Sequence, residues 1–189
     1  MIKILVIGIA GRMGKTIAEC IEDTEGVRLG GGTEREGSSI IGQDIGEVVG
    51  IGIKGIAVLD NPVIALETCD VAIDFTTPDS SMLALNAAEK SGKPLVVGTT
   101  GFSSEQKKEI IGISRKTRLV VAPNMSIGIN LLLRLVEQAS KYFFKPTSAV
   151  EILDIHHKKK KDAPSGTALA LGNAVANGSG NKLKKISSV

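Results

Sequence analysis

Two kinds of hydrophobic pattern alternate along the chain. Short runs that are apolar almost throughout, IKILVI (2–7), VAIDF (71–75), PLVVG (94–98) and RLVVA (118–122), are rich in β-branched residues and predict strands buried on both faces. Between them, 12–24, 78–91 and 103–116 carry apolar residues at helical spacing and predict amphipathic helices. Ser103, followed three residues later by Gln106, is a capping-box pattern for the last of these. Another strand, VRLGGGTE, follows the first helix and ends at Glu34. Such alternation predicts an α/β protein whose doubly wound parallel sheet is covered by helices on both sides. Further on, 126–144 reads as a longer helix, and SAVEILDIHH (148–157) as one more strand that opens a second unit. The expected division is therefore 1–124 and 125–189, the second part being an incomplete α+β domain. No internal repeat is present, and the tail ANGSGNKLKK predicts a frayed end.

Composition narrows the classes. Of 189 residues, 42% are hydrophobic and 23% charged, with a net charge of +3, which suits a soluble globular protein and is too weakly basic to argue for nucleic acid. The opening MIKILVIGIAG turns at Gly8 and meets Arg12 too soon for a signal peptide or a membrane span. Cys20 and Cys69 have neither metal-site nor disulfide-framework spacing, which fits a reducing cytoplasm and predicts no metal.

Two segments carry chemistry. Between the first strand and the first helix the chain reads GIAGRMGK, with glycines at 8, 11 and 14. Glycine there lets the backbone turn tightly and approach a pyrophosphate, which then sits on free N–H groups at the positive end of the helix. Glu34 lies twenty positions after Gly14, where a dinucleotide fold places the acid that bonds a ribose hydroxyl, and Arg35 follows it. That pair suits either cofactor: the carboxylate for the ribose of NADH, the guanidinium for the extra phosphate of NADPH. GTTG (98–101) and APNMS (122–126) also fall at the carboxyl ends of expected strands, where open α/β sheets bind ligands.

The second segment, HHKKKKDAPSGTA (156–168), holds both histidines and four consecutive lysines, and leads into a helix expected to start near Ser165, Gly166 and Thr167. Backbone N–H groups at that start form an anion site, the lysines add positive charge, and an imidazole can deliver a proton near neutral pH. The combination points to a small acidic substrate. A nucleic-acid surface would interleave aromatic residues, but these make up 3% of the chain and none lies between 145 and 189.

These motifs, with TEREGSS, DFTTP, VVGTTGF and APNMSIGIN, resemble the dihydrodipicolinate (4-hydroxy-tetrahydrodipicolinate) reductase family of lysine and diaminopimelate biosynthesis, in order along nearly all of the chain. The resemblance implies a Rossmann-like cofactor domain, NADH or NADPH as reductant, a dicarboxylate ring as substrate, and a cytoplasmic homotetramer. It implies His156 as catalytic acid/base and Lys160 as proton donor, with substrate bound by His157, Ser165, Gly166 and Thr167. Cofactor contacts would come from Gly8, Ile9, Ala10, Gly11, Arg12, Met13, Glu34, Arg35, Gly98, Thr99, Thr100, Ala122, Pro123, Asn124 and Met125. Thr77 stands where some members carry a basic residue, which implies one phosphate contact fewer for NADPH, and Lys161 adds a charge where an apolar residue can occur. Family members continue past position 189, so the expectation is a partial substrate domain. The alternative to a reductase is a dinucleotide-binding chain without turnover; another NAD(P)-linked dehydrogenase with a cationic pocket would keep the glycines but has no reason for the HHxxKxDAPSGT spacing.

Overall fold

In the computed structural model, which describes residues 1–145, 149–156 and 164–183, the run IKILVI forms strand β1 (Ile2–Ile7). Its side chains alternate between two apolar clusters, as the pleat dictates. Ile4 and Val6 pack with Ala18, Ile21, Leu29 and Ile45, while Leu5 and Ile7 pack with Leu66, Ala72, Leu85, Leu95 and Val97. Burial on both faces is what a parallel sheet requires. Each fully buried Leu of these clusters contributes about 1.5–3 kcal/mol relative to exposure.

The chain continues through α1 (Arg12–Glu22), β2 (Val27–Thr33), α2 (Ile45–Val49), β3 (Val58–Leu59), α3 (Pro62–Glu67), β4 (Val71–Asp74), α4 (Pro78–Ser91), β5 (Leu95–Val97), α5 (Ser104–Ile113) and β6 (Leu119–Val121). Helix starts are written locally. Asn61 and Thr77 cap helices whose first residue is proline, and Ser103 with Gln106 forms the full capping box that the spacing predicts. Helix α4 ends at Gly92, whose φ of 65° gives the left-handed stop that glycine adopts without strain.

The strands lie in the order β3-β2-β1-β4-β5-β6, every neighbouring pair parallel. Connections therefore run outward in opposite directions from β1 and β4, making that junction the topological switch point. Register aligns the strand ends: Ile7 pairs with Thr33 on one side and Asp74 on the other, and Asp74 pairs with Val97. The loops beginning at Gly8, Glu34, Phe75 and Gly98 thus leave the sheet along one carboxyl edge.

Three short elements, α2, β3 and α3, stand where the hydrophobic pattern shows no distinct element. Asp44 anchors this stretch: its carboxylate caps α2 through the amides of Gly46 and Glu47 and also accepts those of Lys54, Gly55 and Ile56. The chain is thereby held in place just before β3.

The chain divides into two compact units, Met1–Ala122 and Pro123–Val189. In the second, α6 (Ile127–Phe143), capped by Ser126, packs against α7 (Gly166–Gly178), capped by Ser165. The approach is close enough that a Cβ on Gly178 would lie 2.2 Å from the Glu137 carbonyl oxygen. Two expectations are corrected here. Residues 149–156 form no strand: among the described residues they lie against helices and have no strand beside them to complete a ladder, and Leu153 and Ile155 stand exposed. Residues 148 and 157 lie outside the described residues. The tail is not frayed from 176, since Ala176, Asn177 and Gly178 complete α7 against α6.

Glycine contacts separate two substitutions of the same kind. A Cβ on Gly14 would lie 2.2 Å from the Gly8 carbonyl oxygen and 2.8 Å from that of Ile9, whereas one on Gly112, exposed on α5, would meet open space. Gly112→Ala is expected to stabilise the chain by about 0.4–1 kcal/mol, and Gly14→Ala to destabilise it by about 1–3 kcal/mol or more. Urea unfolding of both variants measures the difference, and equal effects would contradict the close approach of α1 to the turn.

Candidate active site

The turn after β1 is fixed from both sides. The amides of Gly8 and Ile9 both donate to the Thr33 carbonyl oxygen, at 2.8 and 3.0 Å, tying the turn to the end of β2. The Gly11 amide donates back to the Gly8 carbonyl at 3.0 Å, and Gly8 takes φ +70°, which a side chain would strain. Gly11 sits at the N-cap of α1 and supplies no side-chain acceptor. The exposed first turn of α1, at Arg12 and Met13, therefore presents N–H groups at the positive end of the helix with no cap in front of them. Ile9 is buried under the turn and Ala10 is half-buried. The turn has the chemistry to take an anionic group, and a side chain at position 14 would not fit beneath it.

Glu34 and Arg35 begin the loop after β2, directly beyond the carbonyl that anchors the turn. The Glu34 amide donates to the Leu59 carbonyl at 2.9 Å, fixing the backbone, while its half-buried carboxylate accepts from the Arg35 amide at 3.1 Å. The Arg35 side chain is exposed. An acid and an exposed cation side by side at this place have the chemistry to meet a ribose hydroxyl and a phosphate.

On the other side of the switch point, a hydroxyl network closes the edge. Asp74 is fully buried at the end of β4, and its Oδ1 accepts both the amide and the hydroxyl of Thr76, at 2.9 and 2.6 Å. The Thr76 amide also donates to Thr99 Oγ1 at 2.9 Å, and Ser81 Oγ donates to the same oxygen at 2.8 Å. Thr99 is turned into the protein, so its backbone rather than its hydroxyl is what the edge presents; Thr100 is exposed. Gly98 is required by packing, since a Cβ there would lie 2.0 Å from the Phe75 ring. Ala122 ends this unit with its amide on the Val97 carbonyl at 3.0 Å.

The second unit assembles its own set. Asn124 accepts the Ser126 amide at 2.9 Å, and its side-chain amide donates to Thr167 Oγ1 at 3.3 Å, so the start of α6 is fastened to the start of α7. Pro123 and Met125 on either side of it are exposed, and Gly166 is half-buried. Asp154 bridges the remaining candidates: its Oδ1 pairs with His156 Nε2 at 2.6 Å and its Oδ2 accepts the Ser165 amide at 3.1 Å. Desolvation works to raise the Asp154 carboxyl, and the hydrogen bonds from Ser165 and His156 outweigh it, holding the group below its usual range. His156 itself is exposed. His157, Lys160 and the rest of 157–163 lie outside the described residues.

Asp74, Thr76, Ser81 and Asp154 were not singled out from the sequence. Asp154 had a signal, since it stands two positions before His156. Asp74 and Thr76 lie in the DFTTP motif, but nothing in that motif assigned either a role.

Among the described residues no group of His, Cys, Asp or Glu side chains is placed to hold a metal, and no helix is long and apolar enough to cross a membrane. A six-stranded doubly wound sheet with a glycine cradle at its switch point defines a dinucleotide-binding α/β protein. Comparison with known proteins narrows the class. Family models described as dihydrodipicolinate reductase, N-terminus, and dihydrodipicolinate reductase, C-terminus, match residues 2–125 and 128–189. A 4-hydroxy-tetrahydrodipicolinate reductase of Hahella chejuensis is 42% identical over 185 residues, covering 98% of this chain and 69% of the relative. A solved dihydrodipicolinate reductase from Paenisporosarcina sp. TG-14, with dipicolinate bound, superposes with a TM-score of 0.71 at 27% identity, covering 93% of this chain and 66% of the other. An amine dehydrogenase from Mycobacterium smegmatis shares the fold at a TM-score of 0.54 and 25% identity, over 64% of this chain and 38% of its own. The chain belongs to the dihydrodipicolinate reductase family, whose members are pyridine-nucleotide-dependent oxidoreductases, and spans about two thirds of the length of these reductase relatives.

Burial pushes the Asp74 carboxyl above its usual range, against the hydrogen bonds it accepts from Thr76. The folded state therefore holds this proton to a higher pH than the unfolded chain. Its contribution to stability is full below the unfolded value, about pH 4, and is lost as pH rises through the folded one. Asp74→Asn removes the titration, so the stability of the unaltered protein relative to this variant should fall as pH climbs from about 4 to neutrality. Urea midpoints across that range measure it, and a difference independent of pH would show that burial does not shift this group.

Proposed function

We propose that this chain carries the dinucleotide site and part of the substrate site of a 4-hydroxy-tetrahydrodipicolinate reductase, which reduces its substrate to tetrahydrodipicolinate with loss of water, in lysine and diaminopimelate biosynthesis. The observation that carries this reading is the glycine turn anchored on Thr33, with Glu34 and Arg35 at the next position along the same edge. Dipicolinate, the ligand of the Paenisporosarcina relative, is a ring dicarboxylate, which suits the expected small acidic substrate.

The cofactor, when bound, supplies a hydride. The residues that would hold it are Gly8 to Met13 at the pyrophosphate, Glu34 and Arg35 at the adenosine ribose, the backbone of Gly98 to Thr100 nearer the reacting end, and Ala122 to Met125 at the close of the edge. NADH and NADPH are both accommodated, because the carboxylate and the guanidinium serve different substituents of the ribose. In the second unit, the amides of Gly166 and Thr167 open α7 and attract a carboxylate. Asp154 holds one nitrogen of His156, which orients the ring and leaves its other nitrogen to give or take a proton. Lys160 as proton donor and His157 as a substrate contact complete the proposal from the family resemblance, as do a cytoplasmic location and a homotetramer.

One set of measurements tests both halves. Arg35→Ala should weaken NADPH by about 1.5–3 kcal/mol and spare NADH, and Glu34→Ala should do the reverse. His156→Ala should lower turnover by about 10²–10⁴ with NADH affinity unchanged. Equal losses of the two cofactors would remove Glu34 and Arg35 from the ribose site, and unchanged turnover would remove His156 from the chemistry.

A further inference from the structure

Asp74 is conspicuous because it is an acid kept where an acid is expensive. Its side chain is fully buried, and its Oδ2 has no hydrogen-bond partner among the described residues. A half-satisfied buried carboxyl costs stability, and such groups are retained where they set a geometry that a fully satisfied neutral residue would not.

What it sets is visible in its contacts. Through Oδ1 it takes both donors of Thr76 and so fixes that residue's backbone and side chain together. Thr76 then reaches two neighbouring loops. Its amide is shared with the Thr99 hydroxyl at 2.9 Å, which holds the loop after β5, and its Cγ2 lies 2.5 Å from where a Cβ on Gly8 would stand, so the methyl packs directly on the glycine turn after β1. The Asp74 carbonyl meanwhile accepts the Gly98 amide at 2.8 Å. Ser81, on the first turns of α4, donates to Thr99 and brings that helix into the same network.

We propose that Asp74 is a positioning residue of the dinucleotide site, setting the spacing between the glycine turn and the 98–100 loop through Thr76. The inference rests on the reading that this carboxyl edge binds the cofactor. Asp74 touches no cofactor itself. It acts by holding two loops that the same ligand must reach at once, and losing it leaves each loop folded but separately mobile. The essential feature is an acceptor at the Oδ1 position rather than a charge, so asparagine can replace it and alanine cannot.

The test is a fluorescence titration of NADH into the 189-residue chain, with circular dichroism confirming that each variant is folded at the temperature used. Asp74→Ala should raise the Kd for NADH at least tenfold and Asp74→Asn no more than about threefold. Thr76→Val, which keeps the amide and the packing methyl but loses the hydroxyl, should fall between them. Leu85→Ala is the control for general destabilisation: it removes a buried side chain of α4 from the core over the same side of the sheet and should lower the unfolding midpoint without moving Kd. An Asp74→Ala protein that binds NADH as the unaltered chain does would overturn the proposal, as would equal losses in the alanine and asparagine variants. Should Asp74→Ala not fold, an unchanged Kd in Thr76→Val overturns it and a raised one supports it. If the unaltered chain fails to bind NADH, the functional reading itself falls and this inference with it, an outcome distinct from any difference among variants.

Discussion

The carbonyl oxygen of Thr33 accepts the amides of Gly8 and Ile9 together, and the layout of the carboxyl edge depends on that shared acceptance. It brings the end of β2 against the turn that leaves β1, so the glycine cradle and the Glu34–Arg35 pair become neighbours instead of separate loops. The parallel register that pairs Ile7 with Thr33 ends both strands together and so brings the contact about. Helix α1 can start immediately beyond because Gly14 leaves room for two carbonyls. On the far side of β1, Asp74 performs the corresponding task for β4 and β5. The switch point is therefore braced on each flank, once by a backbone carbonyl and once by a buried carboxyl.

The second unit repeats the logic with fewer parts. Asn124 links the start of α6 to Thr167 on α7, and Asp154 links His156 to the Ser165 amide. In both cases a short polar side chain fixes a helix start while facing a residue proposed for substrate binding or proton transfer. Neither link relies on a β ladder, which explains how 149–156 can present His156 without forming a strand.

Much of the fold was legible because short β-branched runs leave a plain mark, although two-sided burial fails at the sheet edge, where Val120 and Val121 of β6 are exposed. The runs at 2–7, 71–75, 94–98 and 118–122 all became strands of the sheet, and Ser103 with Gln106 formed the capping box. The misses have physical causes. Strand β3 has two residues, too few for any alternation to register, and α3 runs only from Pro62 to Glu67. The run 148–157 carried a strand pattern, but a pattern cannot supply the neighbour that a strand needs. The glycine turn was readable because backbone chemistry at a strand–helix junction is local. The Asp74 network was not, because Thr99 lies 23 positions from Thr76 and only the sheet register brings them together.

The central claim is that a dinucleotide binds along the carboxyl edge on both flanks of the switch point. Amide chemical-shift mapping of the isotope-labelled chain during titration with NADH tests it most directly. The account requires the largest changes at Gly11, Arg12, Met13, Glu34, Arg35 and 98–100, residues far apart in sequence that share only this edge. Changes concentrated at the opposite ends of the strands, around Val27, Val71 and Leu95, or confined to one flank of the edge, would contradict it.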